Sequence, residues 1–423
     1  MSENPFFSIV LATYARGHDI KPTIASVLGQ TCSDFELIIV GDGCTDDTEA
    51  AVRSFEADRM MWLNLPQNTG SQSFPNNAGM HSSRGRWIAY IGHDDIWAPN
   101  HLESMARMVA SDDKLDFVVS GCAYHGPEGS ETCCITGLFT TPEAPFEHFF
   151  PPTSLAHRRD VTTRIGEWRD PRVISPPVDA EFLLRAAHAG LRFASTSEIT
   201  AHKFAAGHRY LSYLRTSCDE QWAMLRKLKE QSGVDTDDLL RRANESGQYM
   251  AAKHSDYSVY PAGYLFERNR QNKGISRPAL QPLRGRVVIE QTEEFRALDW
   301  YSVELAGKRY RWSGPNPRPK ILIPYTGDRA RISIEMIMKS PSAEFSEISL
   351  QVERRAVECR IETVAGRFGR LTADIPLAPA DYTVLTMCTP MFRPSEAGRS
   401  EDTRRLGIAV ADIVIEPRGD LLA

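Results

Sequence analysis

Two short, mostly apolar runs near the start of the chain constrain its fold most strongly. Phe7–Ala12 (FSIVLA) and Phe35–Val40 (FELIIV) are strand-length, and apolar runs of this kind are typical of strands buried on both faces of a sheet. Between them, apolar residues from Ile20 to Leu28 follow helical spacing. This strand–helix–strand order predicts an α/β domain with a parallel sheet and crossover helices.

The same rhythm continues, and acidic residues follow two of the predicted strands. Met60–Leu65, Trp87–Ile91 and Leu115–Ser120 are further strand candidates; Asp42 follows the second strand and Asp94-Asp95 follow Trp87–Ile91. Ligands of such sheets bind beyond the carboxyl ends of the strands. We therefore expect these carboxylates to meet at one edge of the sheet.

The second half of the chain changes character twice. The stretch from 180 to about 260 is helical in character, and Asn269–Pro282 (NRQNKGISRPALQP) is typical of a linker. After it, short strand-like segments alternate with turn residues, which favours an antiparallel β-sandwich. We predict three parts: a catalytic domain over 1–210, a helical segment and linker over 211–282, and a β-sandwich domain over 283–423.

Composition excludes some classes of protein. The formal net charge is -6 over 423 residues, which argues against a dedicated nucleic-acid binder. The 8 cysteines show no zinc-type spacing. The N-terminus lacks a basic region before its apolar run, and no apolar segment reaches the length of a membrane span. We expect a cytoplasmic protein, and peripheral contact with the inner face of the membrane stays open.

The adjacent carboxylates Asp94 and Asp95 favour a counter-cation at the strand end. Mg²⁺ or Mn²⁺ is often held by one or two carboxylates together with phosphate oxygens. The alternative is an N-cap and a solvated neighbour before the helix that follows Asn100. Similarly, Asp42 can accept a hydrogen bond from a base, or can merely shape the turn between Gly41 and Gly43.

Two long blocks give these residues a family context. SIVLATYARGHDIKPTIASVLGQTCSDFELIIVGDGCTDDT and NTGSQSFPNNAGMHSSRGRWIAYIGHDD resemble the opening blocks of family 2 glycosyltransferases, which have the GT-A fold. The resemblance covers about residues 6 to 210. It implies a nucleotide-binding sheet and transfer of a sugar with inversion of its anomeric centre.

Carried over residue by residue, the resemblance assigns the donor site. It makes Thr13, Tyr14 and Asp42 contacts to the base and ribose, and it makes Asp94 and Asp95 the acidic motif for Mn²⁺ or Mg²⁺. It leaves open which of the two carboxylates binds the metal and which the ribose.

The chain also departs from the family pattern. Gly41 replaces the first aspartate of the turn, and Gly92 replaces the first aspartate of the acidic motif. Asn76, which we include among the nucleotide contacts, stands where an arginine is common.

Two downstream positions complete the predicted site. Asp179, in VDAEF, matches the catalytic aspartate of the family's acidic pair, which implies a general base; helix N-capping is the alternative, and Glu181 is the nearest other candidate for the base. His202, in AHKFAAGHRY, is a candidate metal or phosphate contact on a loop that also holds His208.

The sequence therefore predicts an inverting glycosyltransferase that uses a nucleotide sugar, with UDP favoured. A glycan or glycolipid acceptor in cell-surface polysaccharide synthesis is an expectation by analogy, and self-association through the C-terminal domain stays open. One rival is a sugar nucleotidyltransferase, for which ATYARGHD is a poor phosphate loop. The other is a non-catalytic carbohydrate-binding protein on a decayed transferase fold.

Overall fold

The chain consists of two compact units, Met1–Ser276 and Arg277–Ala423. The division lies within the predicted linker, and the three-part division of the chain stays a prediction. A computed structural model describes residues 4–125, 133–204, 217–230, 234–245, 247–250, 252–273, 280–291, 297–298, 300–301, 303–314, 317–338, 347–353, 355–364, 368–379, 382–397, 402, 404 and 406–418.

The first unit is built on one mixed sheet. Its strands are β1 (Phe7–Thr13), β2 (Phe35–Gly41), β3 (Met60–Asn64), β4 (Trp87–Tyr90), β5 (Ile96–Trp97), β6 (Phe117–His125), β7 (Cys133–Thr136), β8 (Leu155–Arg158) and β9 (Phe193–Phe204). Their order is β3-β2-β1-β4-β8-β6-β9-β5, with β7 paired to β6. The predicted GT-A-like fold class is confirmed, and β8 and β5 pair antiparallel to their neighbours.

The register of the parallel strands positions the acidic turns. β1 and β2 pair from Phe7 with Phe35 to Thr13 with Gly41, and β1 pairs with β4 up to Val10 with Tyr90. The carboxyl ends of these strands therefore lie side by side. The turns that carry Asp42 and Asp94 follow directly and meet at this edge, as the apolar runs predicted.

Helices pack on both faces of this sheet. They are α1 (Lys21–Leu28), α2 (Thr48–Arg53), α3 (Ser73–His81), α4 (His101–Ser111), α5 (Ala144–Glu147), α6 (Val161–Ile165), α7 (Val178–His188), α8 (Asp219–Lys229), α9 (Thr236–Glu245) and α10 (Tyr264–Lys273). One core contains Ile9, Leu37 and Ile24; the other contains Val10, Phe117 and Phe182. Successive β1 residues thus point to opposite faces, and both faces are buried.

Two predictions for the middle of the chain are wrong. Phe193–Phe204, part of the stretch from 180 to about 260 predicted to be helical in character, is the 12-residue strand β9, paired in parallel with β6. Its serines, threonines and isoleucine suit a pleated surface better than a helix. In addition, α10 continues to Lys273, so the first residues of the predicted linker are helical.

The second unit consists of strands and, among its described residues, a 3-10 helix at Pro394–Ala397. Its strands are β10 (Gln281–Pro282), β11 (Val287–Ile289), β12 (Ala297–Leu298), β13 (Glu304–Ala306), β14 (Lys308–Trp312), β15 (Lys320–Ile323), β16 (Tyr325–Thr326), β17 (Arg329–Met338), β18 (Ser349–Val352), β19 (Arg355–Val357), β20 (Cys359–Val364), β21 (Phe368–Pro376), β22 (Thr383–Cys388) and β23 (Ala409–Pro417). The two larger sheets have the orders β13-β14-β23-β17-β21-β20 and β12-β15-β22-β18-β19. Their shared core includes Ile334, Leu371 and Leu385, as a sandwich requires.

None of the described helices combines the length and the apolar character that a bilayer crossing demands.

Candidate functional site

A cavity of about 460 Å³ opens at the carboxyl edge of the first sheet. This volume is in the range of small-molecule sites in proteins. Its lining includes seven predicted site residues: Thr13, Tyr14, Asp42, Asn76, Asp94, Asp95 and Asp179. The fold thus brings together residues that are up to 166 positions apart in sequence (179 minus 13).

Asp42 organises the loop that follows β3. Its Oδ1 accepts hydrogen bonds from the Thr69 backbone N–H at 2.9 Å and the Thr69 hydroxyl at 2.7 Å. Its Oδ2 accepts from Asn68 Nδ2 at 3.0 Å and Gly70 N at 3.1 Å. Burial raises the pKa of Asp42, and the hydrogen bonds from Thr69 and Gly70 oppose the rise. The carboxylate therefore fixes the Asn68–Gly70 loop at one end of the cavity, a structural role compatible with ligand contact.

The two adjacent carboxylates lie in different environments. Asp95 is fully buried; its Oδ2 accepts from Lys203 Nζ at 3.1 Å and its Oδ1 from Phe204 N at 3.3 Å. Burial raises the pKa of Asp95, and the Lys203 ammonium opposes that rise. Both Asp95 oxygens are thus engaged by β9. Asp94 lines the cavity too but is only partly buried, so it is the more accessible of the two to a cation.

The turn that carries this pair is tightly packed. A β-carbon at Gly92 would lie 2.5 Å from Asp95 Oδ2, which is closer than real contacts allow. An aspartate at this position, the residue expected from the family pattern, would displace the Asp95 carboxylate. The Thr23 hydroxyl also donates to the backbone oxygens of His93 at 3.0 Å and Asp95 at 2.9 Å. The absence of a side chain at Gly92 therefore leaves room for the buried Asp95 carboxylate.

Asp179 and Glu181 lie in different environments on α7. Asp179 lies in the first turn of this helix, which begins at Val178; it lines the cavity, where Gln72 Nε2 donates to its Oδ2 at 3.4 Å. Glu181 is buried and pairs with Arg185 at 2.8 Å and Arg169 at 3.2 Å. It is not among the residues that line the cavity. Of the two candidates for a base, the geometry favours Asp179.

Three buried polar atoms of the cavity lining have no hydrogen-bond partner among the described residues. They are Thr13 Oγ1, Asn76 Nδ2 and Thr153 Oγ1, in side chains that are at most 3% exposed. A buried polar atom without a partner costs roughly 1–3 kcal/mol. Such atoms are retained most readily where a ligand supplies the missing bond.

His202 is not brought to the cavity. Its ring is buried, its Nδ1 lies 3.0 Å from His125 Nε2, and burial holds its pKa well below the ordinary value. The neighbouring Lys203 lines the cavity instead, because successive side chains of a strand point to opposite faces. His208 lies outside the described residues. Among the residues the structure does describe, no group of three or more His, Cys, Asp or Glu side chains is placed to hold a metal.

Sequence reasoning missed several residues of the cavity lining. Arg16 and Lys203 bring positive charge, and Arg16 Nε lies 2.9 Å from His93 Nε2. Phe266 and Asn269 come from α10, in a stretch assigned to the helical segment and linker. A strand assignment for β9 would have pointed to Lys203. No signal in the sequence singles out Arg16 or the α10 residues.

The fold of the N-terminal unit is GT-A-like. Residues 8–132 match the model of glycosyl transferase family 2, in agreement with the resemblance of the opening blocks. The match covers the strands up to β6 and the Asp42 and Asp94 turns, and it ends before Asp179.

Individual relatives agree with this assignment. The chain is 32% identical over 136 residues to the Escherichia coli UDP-Glc:alpha-D-GlcNAc-diphosphoundecaprenol beta-1,3-glucosyltransferase WfgD, covering 32% of this chain and 51% of that protein. It is 31% identical over 121 residues to the uncharacterized glycosyltransferase RP339 of Rickettsia prowazekii, covering 29% of this chain and 37% of the relative. The chain thus spans only a third to a half of the length of these curated relatives.

Among solved structures, Staphylococcus aureus TarS 1–349 in complex with UDP-GlcNAc aligns with a TM-score of 0.42 at 16% identity. The alignment covers 56% of this chain and 72% of that one.

Proposed function

We propose that this protein transfers a sugar from a nucleoside diphosphate sugar to an acceptor hydroxyl, with inversion at the anomeric carbon. The observation that carries the proposal is the meeting of Asp42, Asp94 and Asp179 in one cavity, in a chain whose residues 8–132 match a glycosyltransferase family. UDP is the favoured nucleotide, and WfgD, a relative over part of the chain, uses a UDP-sugar by its name.

The reaction is a single displacement. The acceptor oxygen forms a bond to the anomeric carbon as the bond from that carbon to the diphosphate oxygen breaks, and the diphosphate departs with the electron pair. The Asp179 carboxylate accepts the proton of the acceptor hydroxyl, which is a poor nucleophile when protonated. Thr13, Tyr14, Asp42 and Asn76 would hold the nucleoside.

The residues present fit a divalent cation better at Asp94 than at Asp95. Both carboxylates line the cavity, but Asp95 is fully buried with both oxygens accepting hydrogen bonds from β9, whereas Asp94 is only partly buried. One carboxylate together with donor phosphate oxygens and water suffices for Mg²⁺ or Mn²⁺. When bound there, such a cation would stabilise the negative charge of the leaving diphosphate. Lys203 and Arg16 supply further positive charge from the chain itself.

For the acceptor we propose a glycan or glycolipid of cell-surface polysaccharide synthesis, at the inner face of the membrane. The name of WfgD, which includes a diphosphoundecaprenol-linked sugar, supports this class of acceptor.

The test is a panel of UDP-, GDP- and dTDP-sugars measured with and without Mn²⁺. Thermal stabilisation of the full chain reports donor binding. Release of the nucleoside diphosphate, measured with and without a glycan acceptor, reports transfer of the sugar to the acceptor or to water. We expect one UDP-sugar to stabilise the chain and to be turned over. Binding without any release would identify a carbohydrate-binding protein, and release of pyrophosphate from a nucleoside triphosphate and a sugar phosphate would identify a nucleotidyltransferase.

A further inference from the structure

Helix α10 lies beyond the residues that match the family, yet it forms part of the cavity wall. Leu265, Phe266 and Asn269 line the cavity. Residues three or four positions apart lie on the same side of a helix, so these side chains form one continuous strip. The cavity wall therefore includes a helix that the family resemblance does not account for.

Two glycines allow α10 to approach its neighbours closely. Gly263, which precedes the helix, has φ +80 and donates its N–H to the Ile174 carbonyl at 3.0 Å; a β-carbon there would lie 3.1 Å from the Arg172 carbonyl oxygen. Near the other end, a β-carbon at Gly70 would collide with the Arg270 guanidinium and lie 3.0 Å from its Cζ. The helix is thus seated against the Pro171–Val173 turn and against the Asn68–Gly70 loop.

The second of these contacts joins α10 to Asp42. Asp42 accepts hydrogen bonds from Asn68, Thr69 and Gly70, and Arg270 lies against Gly70. The positive charge of Arg270 is also among the influences that lower the pKa of Asp42 against the effect of burial. Arg270 therefore supplies a cation beside the loop, whereas Asn76 occupies the position where the family pattern favours an arginine.

Phe266 lies at the same end of the cavity. The Arg270 guanidinium carbon is 5.3 Å from the centre of the Phe266 ring, so the ring is close to the loop that Asp42 holds. The cavity wall here offers an aromatic face at Phe266 and an amide with donors and an acceptor at Asn269. An aromatic face stacks on any nucleobase, and an amide can bond to the polar edge of one.

We propose that α10 is the nucleoside-recognition element of this protein: Phe266 packs against the base of a nucleoside diphosphate, Asn269 bonds its polar edge, and Arg270 positions the Asn68–Gly70 loop. This inference rests on the proposed function, since it takes the cavity to be the donor site.

Isothermal titration calorimetry of the full chain with UDP, CDP, GDP and dTDP, with and without Mn²⁺, tests the proposal. Phe266→Leu keeps an apolar side chain but removes the ring, and we expect it to weaken UDP binding roughly ten-fold, as loss of a base–aromatic contact does. Asn269→Ala should reduce the preference among the four nucleotides. The matched control is Arg268→Ala, on the same helix but not among the cavity-lining residues, which should leave all four affinities unchanged.

Arg270→Ala distinguishes a positioning role from a general loss of structure. We expect the KM for the donor to rise with little change in kcat, and the melting temperature to match that of Arg268→Ala. If the parent chain binds UDP and Phe266→Leu and Asn269→Ala bind all four nucleotides as the parent does, α10 is not the recognition element, and the proposed function survives. If the parent binds none of the four nucleotides, the proposed function itself is wrong.

Discussion

The two units of this protein differ in their histidine content and in where their buried polar side chains lie. All 11 histidines of the chain precede residue 277, and the second unit contains none. The first unit also holds buried polar atoms at its cavity, such as Thr153 Oγ1, without a partner among the described residues. The main core of the second unit consists of apolar side chains such as Ile332, Ile334 and Leu371. The polar side chains that this unit buries, such as Gln291 and Ser313, do not line the cavity.

From this contrast we infer a division of labour: the first unit provides the site, and the second unit provides a stable body. Buried polar groups cost stability unless they are paired, and a fold retains them most readily where they serve a function. A continuous apolar core has no such cost and gives a rigid, stable body. We therefore expect changes in the first unit to affect activity and acid stability, and changes in the second unit to affect local stability alone.

The largest effect is expected at Asp179. Asp179→Asn keeps the size of the side chain but removes its basicity, so turnover should fall by roughly 10²–10⁴-fold. Nucleoside diphosphate affinity and melting temperature should stay close to those of the parent, because other residues hold the nucleotide. Steady-state kinetics and calorimetric titration measure the two properties separately.

Glu181→Gln is the matched control, since it neutralises a carboxylate two residues away on the same helix. Glu181 pairs with Arg185 and Arg169 rather than lining the cavity, so this variant should lose some stability and little turnover. If Glu181→Gln were inactive, or if Asp179→Asn kept the turnover of the parent, a residue other than Asp179 would have to be the base.

The next effect is acid destabilisation of the first unit. Burial lowers the pKa of His101 to about 3 and that of His157 to about 4, against about 6.5 in an unfolded chain. These histidines stay neutral when folded but bind protons when unfolded. Their contribution is fully present above pH ~6.5 and is lost progressively as the pH falls towards the folded values, by about 4 kcal/mol for the pair at pH 5.

Calorimetry at pH 7.5 and pH 5 checks this prediction. The transition of the first unit should move to lower temperature, while that of the histidine-free second unit moves little, because most carboxylates are still ionised at pH 5. His188→Gln removes an exposed histidine and should leave the shift unchanged. Equal shifts in both transitions would contradict the assignment of acid sensitivity to buried histidines.

The third prediction concerns Asp95. Asp95→Asn leaves the Lys203 ammonium without its buried partner, and we expect a loss of about 3 kcal/mol in the unfolding free energy of the first unit. Adding Lys203→Met should recover part of that loss, since it removes the uncompensated charge. Asp34→Asn, at an exposed position, is the control. A thermally unaffected Asp95→Asn variant would mean that the ion pair contributes nothing to stability.

Sequence alone predicted those parts of the fold that local patterns specify. The runs FSIVLA and FELIIV are mostly apolar strands because both faces of the sheet are covered, and the register of β1 with β2 then places Asp42 at the ligand edge. β9 was missed because its polar residues carry no clear period. Its β-branched residues are compatible with a strand, but its place in the sheet depends on pairing with β6, a tertiary contact that no local period indicates.

The site shows the same limit at single residues. The sequence places Asp94 and Asp95 together but does not indicate which one is buried, since that depends on Lys203 arriving from β9, 108 residues from Asp95. His202 is likewise predicted at the site, but because β9 is a strand rather than a loop, its neighbour Lys203 lines the cavity instead. The α10 contact with Gly70 depends on long-range packing between segments that share no sequence pattern.

The smallest expected effect is in the core of the second unit. Ile334 on β17 is fully buried and lies between Leu371 of β21 and Ile413 of β23 in the sheet register. Ile334→Val removes one methylene from this core, which should lower the unfolding free energy of the second unit by about 1 kcal/mol. Leu305→Ala is the control: it removes more volume, but Leu305 is 76% exposed, so little packing is lost. Because the residues that line the cavity lie in the first unit, Ile334→Val should leave UDP affinity and the pH-sensitive transition unchanged. Calorimetric scans and UDP titrations of the two variants decide the matter: a drop in UDP affinity for Ile334→Val but not for Leu305→Ala would show that the core of the second unit supports the donor site, and the division of labour between the units would have to be abandoned.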